Sequence, residues 1–327
     1  MPIPSIPPQA PSGEEDPGRP GGPGPAWSSP LLPAPLSAGG ALPRGLALHA
    51  VLAVSTFGTM LFAGAVNSAA MVPMGRDAAA EVLRDPGLLL LGLPYTLCLM
   101  AILGVHEMGH YLACRRYGVD ASLPYFLPNP FPIMGTFGAF IRIRAPIPDR
   151  RALFDIGVAG PLAGFAVALP VILFGLLHVE SVPADTAGPS ERVGIPLLLA
   201  WLMSVIPPSW PEGEIPLLSG PLMAGWVGCL ATAINLFPIG QLDGGHICFA
   251  LSARVHAVAS FVTLAAFVGL GLLVYPGWLF FATLLILVGP RHPAVSHPAA
   301  DPGAGRIAVA VLALAILVLC FIPRPIS

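Results

Sequence analysis

Five stretches of this chain, residues 45–66, 87–112, 152–179, 217–237 and 306–322, are apolar runs close to the length at which a helix crosses a bilayer. A hydrocarbon core about 30 Å thick takes roughly 20 apolar residues at the helical rise. Backbone groups inside it find no water, so they must bond within the protein, and continuous apolar runs of this length do so as helices. A further apolar run, 256–288, is too long for one crossing and is interrupted by Tyr275-Pro276-Gly277, a turn signal. It reads as a tight hairpin of two shorter helices. The expected fold class is an all-α polytopic membrane protein of about six to seven transmembrane helices lying in a lipid bilayer. Composition agrees, with 55% hydrophobic and only 10% charged residues among 327. The formal net charge of −2 and the lack of a basic cluster point away from a nucleic-acid partner.

Every one of the fifteen basic residues is Arg, which we read as coding bias. Their placement carries orientation. Arg115, Arg116, Arg142, Arg144, Arg150 and Arg151 share one loop, whereas the loop 180–216 has only Arg192. By the positive-inside rule the first loop is cytoplasmic, and counting back two crossings puts the amino terminus there too. Residues 1–44 are rich in Pro, Gly, Ser and Ala with no apolar periodicity and read as a disordered tail, not a cleavable signal peptide. The five cysteines lie in or beside apolar segments with no CxxC pair, so neither a disulfide framework nor a thiolate metal site is expected.

Part of the cytoplasmic loop, "PYFLPNPFPIMGTFGAFIRIRAPI" from Pro124 to Ile147, is too apolar for an ordinary loop and too broken by Pro for a helix. Alternation from Thr136 to Arg144 predicts a short strand or hairpin. Irregular backbone at membrane depth needs protein or a wet cavity beside it, so a short membrane-embedded β element is expected.

Near the end of the second apolar run stand His106, Glu107 and His110, an HExxH pattern. Residues four apart on a helix differ by about 40° around the axis and ~6 Å along it, so both imidazoles face a common metal. Glu107 can reach a water there without being a ligand. Alternatively, the two histidines bond only to neighbouring carbonyls at a helix end, which leaves Glu107 unexplained. A catalytic zinc site typically takes three protein ligands, and two acids border apolar segments. Asp155 follows Arg150 and Arg151 at a helix start, where the dipole favours an acid. Asp243 sits in "NLFPIGQLDGGHI", where Pro238, Gly240, Gly244 and Gly245 break the helix, and looks like a ligand-bearing element. His246 reads as a partner behind the ligands or as an alternative ligand. His49, His178, His256, His292 and His297 stand singly and are assigned no role.

The HExxH at 106–110, followed far downstream by Asn235-x-x-Pro238 and Leu242-Asp243-Gly244, resembles the site-2 protease family of intramembrane zinc metalloproteases (peptidase family M50). The stretch "GTFGAFIRIRAPIPDRRALFDIGVAGPLAG", Gly135 to Gly164, is similar to its subgroup with cyanobacterial and plant chloroplast members. The resemblance covers roughly residues 90–255 and implies one Zn2+ per chain on His106, His110 and Asp243, with Glu107 as general base and then acid. It implies that Asn235 helps hold substrate or the developing oxyanion. It further implies that the strand containing Gly135, Thr136, Phe137 and Gly138 pairs with an unwound substrate. No inserted PDZ domain fits between His110 and Asp243, and no cystathionine-synthase-type module follows the core.

The expected organisation is then a Pro/Gly-rich cytoplasmic tail (1–44), a first transmembrane helix and loop (45–86), a metalloprotease core (87–255) and C-terminal transmembrane helices (256–327). The expected function is hydrolysis of a peptide bond in or near the transmembrane segment of a membrane-protein substrate. Arg115 lies about 7.5 Å along the helix from His110, which places the site in the cytoplasmic third of the bilayer, taken to be a bacterial inner membrane. The competing reading is a non-proteolytic membrane scaffold or metal transporter of the same fold. A transporter needs polar groups relayed across the bilayer, whereas this chain clusters them at one depth.

Overall fold

The computed structural model describes residues 44–131, 134–185, 193–289, 292, 295–296 and 303–325. The expected tail falls almost wholly outside them, as do Arg192 and His297. The chain is mostly helical. Helix α1 (Arg44–Val66) leads through 3-10 turns and the short α2 (Ala78–Arg84) into α3 (Leu93–Arg116), the helix that carries HExxH. A hairpin of β1 (Tyr125–Pro128) and β2 (Thr136–Phe140) follows, then α4 (Arg150–Leu177). Next come β3 (Glu180–Pro183), α5 (Leu197–Val205), β4 (Glu214–Leu217) and α6 (Gly220–Leu236). The chain closes with α7 (Asp243–Leu251), α8 (Ala253–Leu273), α9 (Gly277–Val288) and α10 (Ala304–Cys320).

Among the described residues, four stretches are long and apolar enough to cross a membrane: Gly45–Val66, Pro86–Arg116, Arg150–Leu177 and Ala253–Leu273. The shorter apolar helices are Gly220–Leu236, Gly277–Leu287 and Ala304–Cys320. The 256–288 hairpin turns where Pro276 stands, but its arms are unequal. The first, α8, has 21 residues and reaches crossing length, while α9 has 12. The 180–216 loop is not plain loop either, because β3 and β4 pair antiparallel across it and α5 lies between them.

Helix α4 is the scaffold of the site, packed against α3, α6 and α7. It starts where Asp149 accepts a hydrogen bond from the Ala152 N–H at 2.8 Å, satisfying one of the orphan donors of the first turn. Asp149 is therefore the capping acid, and the expectation that Asp155 serves the helix start is corrected. Asp155 lies a turn further in and accepts two bonds from Arg306 of α10, at 2.7 and 2.6 Å, with a third from the Tyr117 hydroxyl. Burial, with the Asp155 carboxylate beside it, pushes the Tyr117 hydroxyl up from its ordinary range, so it stays a donor. Bidentate Arg–carboxylate pairs are among the stronger polar contacts, and this one ties α10 to the scaffold. Arg306→Ala is expected to destabilise the protein by about 1–3 kcal/mol by leaving Asp155 without its cation. A lowered midpoint of thermal unfolding in detergent, with Tyr117→Phe costing less, would bear this out.

The hairpin is held on α1 and α3. The Thr59 hydroxyl donates to the Gly135 carbonyl at 2.6 Å and the Tyr95 hydroxyl to Met134 at 2.7 Å. Gly135 has φ +72°, and a Cβ there would meet the Thr59 carbonyl oxygen at 2.5 Å, so glycine is required twice over. Pairing runs on past β2 through an Ala121–Ile143 bridge, as the alternation to Arg144 predicts.

Candidate metal centre

The site is built from two halves, the continuous helix α3 and the broken α6–α7 segment. Helix α3 presents His106 and His110 one turn apart, both about 5% exposed. The other half begins where α6 stops at Leu236. The 237–242 turn, containing Pro238 and Gly240, reverses the chain, and α7 starts at Asp243. A Cβ on Gly244 would meet the Leu236 carbonyl oxygen at 1.9 Å and one on Gly245 the Gly240 carbonyl oxygen at 2.5 Å. The two glycines let the turn fold back on itself and aim Asp243 at α3.

The carboxylate reaches both imidazoles: Oδ2 lies 3.2 Å from His106 Nε2 and Oδ1 3.3 Å from His110 Nε2. The two Nε2 atoms are 3.2 Å apart. His110 Nδ1 lies 2.7 Å from the Ile156 carbonyl oxygen on α4, which can only accept. That bond puts the proton on Nδ1 and leaves the Nε2 lone pair facing the other two donors. Two nitrogens and a carboxylate oxygen within 4.8 Å of one another are a donor set suited to zinc. The packing leaves these side chains little freedom. A Cβ on Gly160 would stand 2.0 Å from His110 Nε2, and one on Gly164 would stand 3.0 Å from His106 Cβ.

Glu107 stands beside this group rather than in it, with Oε1 4.0 Å from His106 Nε2 and the Ile141 backbone N–H facing its carboxylate. Asn235 Nδ2 lies 3.4 Å from His106 Nε2. These five residues line a cavity of about 220 Å³ whose opposite wall is the end of β2 and the residues after it, Ala139 to Ile141 and Ile143. Gly135, Thr136, Phe137 and Gly138 are not on that wall. Thr136 is buried and donates to Leu127 within the hairpin, and Phe137 points outward, 61% exposed. His246 lines the cavity without joining the three-donor group.

Three contributors escape a reading of side-chain types: the Ile156 carbonyl, Gly160 and Gly164, all on α4. The spacing of Gly157, Gly160 and Gly164 along one helix face was the available signal. The histidines set aside as single have partners as well. His256 bonds to the Gly240 carbonyl at 3.1 Å, His49 to Pro124 at 3.0 Å and His292 to His246 at 2.7 Å.

The family model of peptidase family M50 matches residues 94–276, more than half of the chain. Among curated proteins, the chain is 33% identical over 241 residues to the probable zinc metalloprotease EGY1, chloroplastic, of Oryza sativa subsp. japonica, covering 71% of this chain and 40% of that protein. It is 30% identical over 259 residues to the probable zinc metalloprotease EGY2, chloroplastic, of Arabidopsis thaliana, covering 76% and 43%. The chain spans less than half the length of these relatives. The matched stretch contains both halves of the candidate metal centre, and the chain belongs to peptidase family M50, the site-2 protease family.

Proposed function

We propose that the protein is an intramembrane zinc metalloprotease that hydrolyses a peptide bond in or near the transmembrane segment of a membrane-protein substrate. The observation that carries this reading is the convergence of His106, His110 and Asp243, from two distant chain segments, beside a buried carboxylate that is not a ligand. The relatives named above are probable zinc metalloproteases, which supports the same cation. A zinc ion held by the three residues would supply a Lewis acid that polarises a carbonyl and acidifies water.

The chain's own groups do the rest. Glu107 takes a proton from the attacking water as its oxygen bonds to the scissile carbonyl carbon, then delivers it to the amide nitrogen as the C–N bond breaks. Asn235 Nδ2 donates to the substrate carbonyl. A helical substrate hides its carbonyls, so it must be unwound before attack. On its other side β2 has no strand partner among the described residues, and a substrate segment added there would be held extended along the cavity wall. Gly135 to Gly138 would take part through backbone pairing alone.

We place about six to seven crossings in the chain, with residues 87–255 as the protease core and 256–327 as accessory helices. The Arg-bearing loop supports an opening of the site on the cytoplasmic side, in what we take to be a bacterial inner membrane. Cleavage then falls near the cytoplasmic end of the substrate helix. Zinc content per chain, measured after purification in detergent without chelator, tests the reading before any substrate is known. The expected result is about one zinc in the wild type, as a single three-ligand site requires, and none in Asp243→Ala. A wild type without zinc would overturn the proposal.

A further inference from the structure

His246 and His292 have no part in the mechanism above, yet they meet at its edge. His246 Nδ1 and His292 Nε2 are 2.7 Å apart, a full hydrogen bond. His292 lies beyond the stretch that matches the family, on the segment following α9. Its ring stacks on Phe249 of α7 with centroids 4.3 Å apart and planes 19° apart. Three residues on, Val295 is buried in the core, and the Ser296 N–H donates to the Ile147 carbonyl at 3.2 Å. His292 thus rests on α7, and Ser296 on the linker that joins the hairpin to α4.

His246 is fixed from both sides. A Cβ on Gly157 of α4 would meet its Cβ at 2.7 Å, so the base of the side chain sits hard against α4 while its Nδ1 is tethered to His292. The ring also forms part of the wall of the metal cavity. With Nδ1 engaged, Nε2 is the nitrogen left for whatever enters. A group that lines the cavity, is pinned in one orientation and bonds to no metal-ligand side chain is placed to hydrogen-bond a peptide.

The geometry points to His246 as a substrate-binding residue that holds the main chain of the extended peptide through Nε2, and to His292 as the positioning residue that orients its ring. The inference rests on the protease reading above. It adds to the site a peptide contact that is oriented from outside the family-matched stretch, and it gives His292 a function in substrate binding rather than in metal binding.

The test uses the full chain in detergent, fluorescently labelled casein as an unfolded peptide probe, and zinc content measured alongside. His246→Ala and His292→Ala should each raise KM for casein by at least roughly tenfold, the scale of one well-placed hydrogen bond. Zinc content should be unchanged and kcat little affected. His292→Gln, whose amide reaches the position of Nε2, should restore KM to near the wild-type value. The double alanine variant should be no worse than His246→Ala alone, because the two act as one unit. In the inactive Glu107→Gln background, the affinity for casein should fall in parallel with the rise in KM.

Unchanged KM in His246→Ala, or loss of zinc from either alanine variant, would overturn the inference while leaving the protease reading standing. A purely structural role would lower kcat, through a smaller active fraction, without moving KM, and glutamine would not rescue it. A wild type that carries zinc but neither binds nor cleaves casein would overturn the inference alone, whereas a wild type without zinc would remove the protease reading with it.

Discussion

Glu107→Gln is expected to abolish proteolysis and leave zinc in place. Glutamine keeps the shape of the side chain and an oxygen that can still accept from the Ile141 N–H facing it. It cannot take a proton from water near neutral pH. General-base catalysis is worth about 10²–10⁴-fold, and here one group serves as base and then as acid, so the loss should be at least roughly 10³-fold. The metal half of the prediction follows from geometry. Glu107 Oε1 is 4.0 Å from His106 Nε2, while the three donors contact one another at 3.2 to 3.3 Å. Removing its charge therefore costs no ligand. The measurement pairs casein cleavage with zinc content on the same preparation. Residual activity near the wild-type level would strip Glu107 of its role, and loss of zinc would make it a ligand. If a cellular phenotype of this protein survived the substitution, a scaffold would explain it better than a protease.

The parts of the site that were legible in the sequence are those whose signal is local. His106 and His110 sit at i and i+4, and helical geometry turns that spacing directly into a shared face. Asp243 stood out because Pro238 and the following glycines end one helix and begin another around a single acid in an apolar setting. Asp155 shows the limit of such reasoning. Beside Arg150 and Arg151 it reads as a helix-start acid, but its partner is Arg306, distant in sequence and brought near only by the docking of α10. Cap and ion pair are indistinguishable until the helices are packed. The unequal arms of the α8–α9 hairpin escaped for a similar reason. Pro276 locates the turn, while the N-terminal reach of α8, from Ala253, depends on the Ser252 side chain capping Val255. The α4 contribution had no side chain to announce it, because a carbonyl orients His110 and an absent Cβ makes room for it.

That absent Cβ supports the second large prediction. Gly160→Ala is expected to destroy the metal centre without touching a ligand. A methyl group at this position would stand 2.0 Å from His110 Nε2, 2.4 Å from Cδ2 and 2.5 Å from Cε1, all far inside van der Waals contact. The ring has little room to yield. Its Nδ1 is bonded to the Ile156 carbonyl on the same helix, and α3 approaches α4 so closely at Gly109 that a Cβ there would lie 2.6 Å from the Ala159 carbonyl oxygen. Withdrawing α4 would open the close packing of Gly157 on His246 and of Gly164 on His106. His110 must leave the orientation that meets Asp243. Disturbing what orients a ligand costs up to about 100-fold in metal affinity, and displacing the ligand itself should cost at least that. The sign makes the test decisive, because alanine is a better helix former than glycine by about 1 kcal/mol, so a loosely packed α4 would gain stability from the change. Gly269→Ala in α8, where nothing lies within 4 Å of the added methyl, is the matched control and should keep its zinc. Zinc titration of the three proteins would decide the matter. Wild-type affinity in Gly160→Ala would mean that α4 does not press on the ligands, whereas loss confined to that variant would show that a glycine on a neighbouring helix is as necessary to the metal centre as the residues that bind the ion.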